Sequence, residues 1–209
     1  STACGTATSP ANFTVTPTPY PSIQQGDKLP GTSITNVPTR QGYSVSVSAD
    51  GNTAIVGCPM DNNSIGSVRI YIRSGNVWTQ QGDNLIGIFE TPPPGQGWSV
   101  SLSADGNTAI VGGPGENDGK GGAWIFIRNG TSWAQQGQKL VGTTSSDSHQ
   151  GASVSLSADG NTAIVGGPND DENTGAAWIF TRSGGVWSQQ GNKLTGTGAT
   201  GYPQQGHSV

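Results

Sequence analysis

Hydrophobic and polar residues alternate through Ser44-Val45-Ser46-Val47-Ser48, the two-residue period of a strand that turns one face to a core. After Ala49-Asp50-Gly51-Asn52 the chain becomes apolar, reading Thr53-Ala54-Ile55-Val56-Gly57. The two segments predict a β-hairpin, and the Asp-Gly pair suits the positive φ angles of a type I′ turn. A third strand is expected over residues 68–73. A fourth starts at Val77-Trp78 and runs through Gln80-Gln81-Gly82 to Leu85.

This unit repeats. The stretch that opens with Gln41-Gly42 returns almost verbatim at Gln96-Gly97 and Gln150-Gly151 and begins again at Gln205-Gly206, at spacings of 55, 54 and 55 residues. Four antiparallel strands in roughly 50 residues are the signature of a β-propeller blade, because such a sheet is apolar on both faces and must stack between neighbours. The predicted fold is an all-β propeller of four-stranded antiparallel blades. Complete blades are expected at 41–95, 96–149 and 150–204, with partial blades at 23–40 and 205–209. Rings normally close with about 4 to 8 blades. The pattern therefore implies that the natural protein continues past Val209 or that neighbouring chains supply what is missing. Residues 1–22, rich in Ser, Thr and Pro, read as an extended tail or linker.

Composition narrows the function. Of 209 residues, 34 are Gly and only 11% are charged, which argues against a helical bundle. The net charge of -4 leaves no basic footprint for nucleic acid, and no apolar run is long enough to span a membrane. Cys4 and Cys58 are the only cysteines, so one intramolecular disulfide is available, with two free thiols as the alternative. Cys58 stands where the other copies have Gly113 and Gly167, so this thiol belongs to one blade alone. Asn12, Asn62 and Asn129 each begin an Asn-x-Ser/Thr acceptor for glycosylation. With the scarcity of Lys, these features point to a secreted or cell-surface chain.

The repeat resembles the FG-GAP repeat in its bacterial-type variant, related to the propeller of integrin α-subunits. The resemblance covers about residues 23–209. It rests on Gln41-Gly42 in place of Phe-Gly, on Gly57-Cys58-Pro59, Gly112-Gly113-Pro114 and Gly166-Gly167-Pro168, and on the closing stretch Phe180-Thr181-Arg182-Ser183-Gly184-Gly185-Val186-Trp187-Ser188-Gln189-Gln190. It implies a seven-bladed propeller used in adhesion or ligand binding. Integrin-type repeats also carry a calcium loop of alternating Asp residues. Here Asp50, Asp105 and Asp159 supply a single carboxylate each, too few for that site, and read as turn residues.

Candidate chemistry lies in the loops between second and third strands, which keep their length and change their content. Asp61, Glu116 and Asp118 are candidate ligand contacts, and Asp170, Asp171 and Glu172 together are the best calcium candidate. Calcium is the one cofactor the sequence suggests. Trp78, Trp133 and Trp187 recur at one repeat position and are expected to pack the outer strand. Trp124 and Trp178 share a position with Arg69, which predicts a partly buried site. Trp98 stands where other copies have Tyr43, Ala152 and His207, so Trp98 and Tyr43 are the aromatic candidates for stacking against a ligand. His149 and His207, with Asp147 nearby, have no Gly-x-Ser-x-Gly nucleophile to accompany them.

The expected function is a non-enzymatic extracellular adhesion or interaction module with a protein or glycan ligand. One alternative is a structural subunit that self-associates into a filament or surface layer through open blade edges. Another is a carbohydrate-binding propeller.

Overall fold

The computed structural model describes residues 26–29, 38–90, 93–144, 147–198 and 201–209. The tail at 1–22, with Cys4 and Asn12, and most of the partial blade at 23–40 lie outside the described residues.

Three four-stranded antiparallel sheets follow one another along the chain. The first holds β1 (Val45–Val47), β2 (Thr53–Cys58), β3 (Ser67–Ser74) and β4 (Val77–Gln80). The second holds β5 (Ser99–Leu102), β6 (Thr108–Gly112), β7 (Ala123–Asn129) and β8 (Ser132–Gln135). The third holds β9 (Ser153–Leu156), β10 (Thr162–Gly167), β11 (Ala176–Ser183) and β12 (Val186–Gln189). Register is the same in each, with Ile55 opposite Ile70, Ile110 opposite Ile125 and Ile164 opposite Ile179. The first strands β1, β5 and β9 lie side by side, and apolar residues fill the space between sheets. Ile55, Val68 and Ile70 of the first sheet meet Val100, Leu102 and Phe126 of the second, and the opposite face of the second repeats the arrangement against the third. The second sheet is thus apolar on both sides and buried between its neighbours, which is β-propeller architecture.

The blades also share polar joints. Ser44 Oγ donates to Gly97 O, Ser99 Oγ to Gly151 O and Ser153 Oγ to Gly206 O, all at 2.8 Å. Leu102 N donates to Ser46 Oγ, and Leu156 N to Ser101 Oγ, both at 3.1 Å. The joint needs a side-chain-free residue in the second strand. A Cβ at Gly57, Gly112 or Gly166 would sit 2.0–2.2 Å from a backbone carbonyl of the next blade.

Two local expectations are corrected. The fourth strand does not run unbroken to Leu85. It ends at Gln80, the chain kinks at Gly82 with φ 70°, and Leu85 rejoins the sheet by exchanging backbone hydrogen bonds with Val68. The hairpin turn is also not type I′. Only the glycines Gly51, Gly106 and Gly160 have positive φ there, and Gly51 N donates to Ser48 O at 2.9 Å, which makes a type I turn followed by a left-handed glycine.

The Asp of that turn holds it closed. Asp50 accepts from Ser48 Oγ at 2.5 Å, Asn52 N at 2.9 Å and Asn52 Nδ2 at 2.9 Å, and the same set recurs at Asp105 and Asp159. The Ser48 bond, then the Asn52 bonds, hold Asp50 at about 2 instead of 3.8, and Ser157 and Asn161 do the same at Asp159. At Asp105 burial pulls upward, but the Ser103 and Asn107 bonds outweigh it and the value is lowered. A carboxylate with a depressed folded value stabilises the fold above its unfolded value and loses that contribution as pH falls through the folded one. The urea midpoint is expected to hold from pH 7 to about pH 5 and to fall between about pH 4 and 2. In the Asp50→Asn/Asp105→Asn/Asp159→Asn variant that fall should be shallower; an unchanged slope would show that other groups carry the acid response.

Candidate ligand-binding cleft on the loop face

The connectors between second and third strands form one-turn segments at Asp61–Ser64, Glu116–Gly119 and Asp170–Asn173. Their inner residues are left-handed: Asn62 and Asn63, Asn117 and Asp118, and Asp171 and Glu172 all have φ between 50° and 57°. For L-residues this costs roughly 1–2 kcal/mol each, least for Asn and Asp. The segment closes on a hydrogen bond from Gly66, Gly121 or Gly175 N to the carbonyl of its first residue.

That first residue is always acidic and turned inward. Asp61, Glu116 and Asp170 are fully buried, each beside a cation. Asp61 accepts from Arg69 Nη2 at 3.3 Å, Ser67 Oγ at 2.8 Å and Asn84 Nδ2 at 3.1 Å. Glu116 accepts from Lys139 Nζ at 2.7 Å and Glu90 N at 2.7 Å. Asp170 pairs with Lys193 and accepts from Thr144 Oγ1 at 2.6 Å. The signal was available in the sequence, since an acid holds the same repeat position three times.

The cation changes place with its surroundings. In the second and third blades the cation is Lys139 or Lys193 before the closing Leu, and the third strand carries Trp124 or Trp178. In the first blade Asn84 replaces the Lys and Arg69 replaces the Trp. The expectation that this position is partly buried is corrected: Arg69, Trp124 and Trp178 are all fully buried. Trp124 Nε1 donates to Ile88 O at 2.7 Å and Trp178 Nε1 to Thr143 O at 3.0 Å. A Cβ at Gly113 or Gly167 would lie 2.7–2.8 Å from the indole, so a Trp here requires glycine opposite it. Arg69 leaves that room, and Cys58 fills it. Among the described residues Cys58 is a buried thiol outside any disulfide, its expected partner Cys4 lying outside them; Arg69 Nη1 is 2.9 Å from Sγ, and burial pushes the thiol pKa up to about 11 despite the guanidinium.

Where the three blades converge, the connectors and the turns leading into β1, β5 and β9 enclose a cleft of about 470 Å3. Those turns explain the repeated Gln-Gly. Tyr43 N donates to Arg40 O, Trp98 N to Gly95 O and Ala152 N to His149 O, with the intervening Gly42, Gly97 and Gly151 at φ 85–87°, as a type II turn requires. The Gln side chain then clasps the incoming chain. Gln96 Oε1 accepts from Gly87 N at 2.6 Å and Nε2 donates to Gly87 O at 2.9 Å, and Gln150 does the same with Gly142.

Pro59, Pro93, Pro94, Pro114 and Pro168 stiffen the walls of the cleft. Trp98 lines it with 38% of its surface exposed. Tyr43 does not line it. It packs against Trp98 with ring centroids 4.7 Å apart and planes tilted by 50°. Arg40, Ser64, His149, Asn169, Gln204 and His207 are its polar lining, and no Asp or Glu lines it among the described residues.

The other sequence candidates stand apart from the cleft. Asp118 is exposed on its turn. Asp170, Asp171 and Glu172 do not gather into one cluster: Asp170 is buried against Lys193, Asp171 is exposed with its carboxylate 3.9 Å from the same Nζ, and Glu172 is exposed. Among the described residues no group of three or more His, Cys, Asp or Glu side chains is arranged to hold a metal ion. Asn129 is exposed at the end of β7, and Asn62 is half-buried in its left-handed turn. Trp78, Trp133 and Trp187 sit half-buried on the outer strands beneath Arg73, Arg128 and Arg182, each 5.4–5.9 Å from the ring centroid.

No described helix is long and apolar enough to cross a membrane. The sequence matches no protein-family model and no curated protein. Its likeness is to solved β-propeller-like structures at low identity. A 6-phosphogluconolactonase-like protein from Bacteroides uniformis superposes with a TM-score of 0.53 at 18% identity, over 73% of this chain and 41% of that one. TolB from Acinetobacter baumannii gives 0.44 at 17% identity over 78% and 34%, and Saccharomyces cerevisiae Sqt1 gives 0.48 at 12% over 80% and 37%. The chain thus spans about a third to two fifths of each of these structures. The architecture is that of a β-propeller built from sequence repeats.

Proposed function

We propose that the chain is a non-enzymatic binding module, an FG-GAP-type propeller of a secreted or cell-surface protein that serves adhesion or interaction through its loop face. The observation that carries this reading is Trp98, a large aromatic ring held open to solvent in a Pro-walled cleft and braced from behind by Tyr43. Aromatic anchors that become buried against a ligand supply most of the energy at recognition sites. The FG-GAP part of this reading rests on the sequence resemblance; in this chain Gln-Gly, which stands in place of Phe-Gly, makes the turn and clasp, and in the second and third blades the Gly before Pro admits the indole. Retention on a panel of immobilised extracellular-matrix proteins and oligosaccharides is expected to fall about tenfold or more in Trp98→Ala. Retention that does not change in this variant would overturn the assignment.

A second reading, a self-assembling structural subunit, is favoured by one feature. Val45 and Val47 are 67% and 57% exposed, whereas Val100, Leu102 and Val154 at the same repeat positions are buried between blades. Light scattering in which mass grows with concentration, without any ligand, distinguishes it from the first.

A further inference from the structure

We infer that the loop-face cleft takes an acidic saccharide, a sugar ring bearing a carboxylate; this rests on the binding-module reading and names its ligand class. Three properties converge on that chemistry.

The first is shape. Trp98 offers a flat apolar face at the wall of a cleft whose volume, about 470 Å3, falls in the usual range for small-molecule sites. The CH-rich face of a pyranose ring suits such a platform. Parallel aromatic ridges, which a polyproline peptide requires, are absent from the described residues here, since Tyr43 is tilted by 50° and lies behind Trp98.

The second is the polar lining. Arg40, His149, Asn169 and His207 offer hydrogen-bond donors to ring hydroxyls, and the Arg40 guanidinium matches a carboxylate in a planar, two-bonded fork. Five prolines in the walls, Pro59, Pro93, Pro94, Pro114 and Pro168, limit how much conformational freedom is lost on binding.

The third is charge. The chain carries a net charge of -4, yet no carboxylate lines the cleft among the described residues. Asp61, Glu116 and Asp170, one residue beyond the lining positions 60, 115 and 169, turn behind the wall and are neutralised by Arg69, Lys139 and Lys193. Asp147 precedes His149 by two residues and is not in the lining. An anionic ligand is repelled by the protein as a whole and accepted at this place.

The test is a glycan array that displays hexuronate-bearing and sialylated oligosaccharides beside their neutral counterparts, with proline-rich peptides on the same surface. At least one acidic glycan should be retained tenfold or more over its neutral counterpart. In Arg40→Gln that preference should drop below about threefold, the acidic glycan losing more retention than its neutral counterpart. Glutamine is native at this repeat position as Gln204, at φ 49°, so the variant keeps the backbone. Trp98→Ala, with its urea midpoint unchanged, should lose both. Equal retention of acidic and neutral glycans, or a preference that survives Arg40→Gln, overturns the acidic-saccharide assignment. Trp98-dependent retention of a peptide, or of a neutral glycan in preference to its acidic counterpart, overturns it too while leaving the binding module standing. No Trp98-dependent retention of anything overturns both.

Discussion

Arg69→Ala is expected to lower stability by about 3–5 kcal/mol, because it leaves the Asp61 carboxylate buried without its charge partner. Arg69 also bonds Gln41 Oε1 at 2.6 Å and Asn84 Oδ1 at 3.2 Å, so one truncation also strips two half-buried amides of a partner. Arg69→Trp should be no better, since the indole meets the Cys58 side chain where Gly113 and Gly167 stand in the other blades. The informative variant is the triple Cys58→Gly/Arg69→Trp/Asn84→Lys, which transplants the arrangement of the second and third blades. It should recover most of what Arg69→Trp alone loses. A urea titration of the single and triple variants decides the matter; a triple variant no more stable than Arg69→Trp would show that the three positions do not act as a unit.

Gly112→Ala should be nearly as damaging, at about 3 kcal/mol, although it adds a single methyl group to a strand where alanine is conformationally at ease. The new Cβ would stand 2.2 Å from Gly151 O and 2.3 Å from Ser99 Oγ. Backbone on the facing blade has to move, and the Ser99 to Gly151 hydrogen bond goes with it. Gly130→Ala is the control. It lies in an open turn at φ 62° with nothing within 4 Å, so it should cost about 1 kcal/mol through backbone strain alone. If thermal unfolding ranks the two variants the other way, the joint between blades is softer than its geometry states.

The propeller was legible because its evidence is local and repeated. Alternation at 44–48, the apolar second strand and a 55-residue period each survive without knowledge of any long-range contact. Errors arose where one residue decides between neighbouring local forms. Gly82 interrupts the fourth strand, and glycine alone, rather than Asp-Gly together, takes positive φ in the hairpin. The buried carboxylates were misplaced for a different reason. A run such as Asn169-Asp170-Asp171-Glu172 looks uniformly solvated, and only the left-handed turn sends its first acid inward while the next two stay outside. Arg69 and Trp124 hold one repeat position in the sequence, but the space that position occupies is shared with positions 58 and 84. Trp98 stood out because it varies where the frame does not; its setting depends on blades more than 50 residues apart and could not be read locally.

The Ser-to-Gly joint has a consequence for how such a chain can grow. Each repeat carries both halves of the joint, a Ser hydroxyl at the start of its first strand and a bare glycine carbonyl just before it. A repeat copied by tandem duplication therefore arrives already compatible with the neighbour on either side, and no new interface has to be invented. The position held by Tyr43, Trp98, Ala152 and His207 sits directly beside that carbonyl but takes no part in the joint. Recognition can drift there from copy to copy, under no obligation to the assembly.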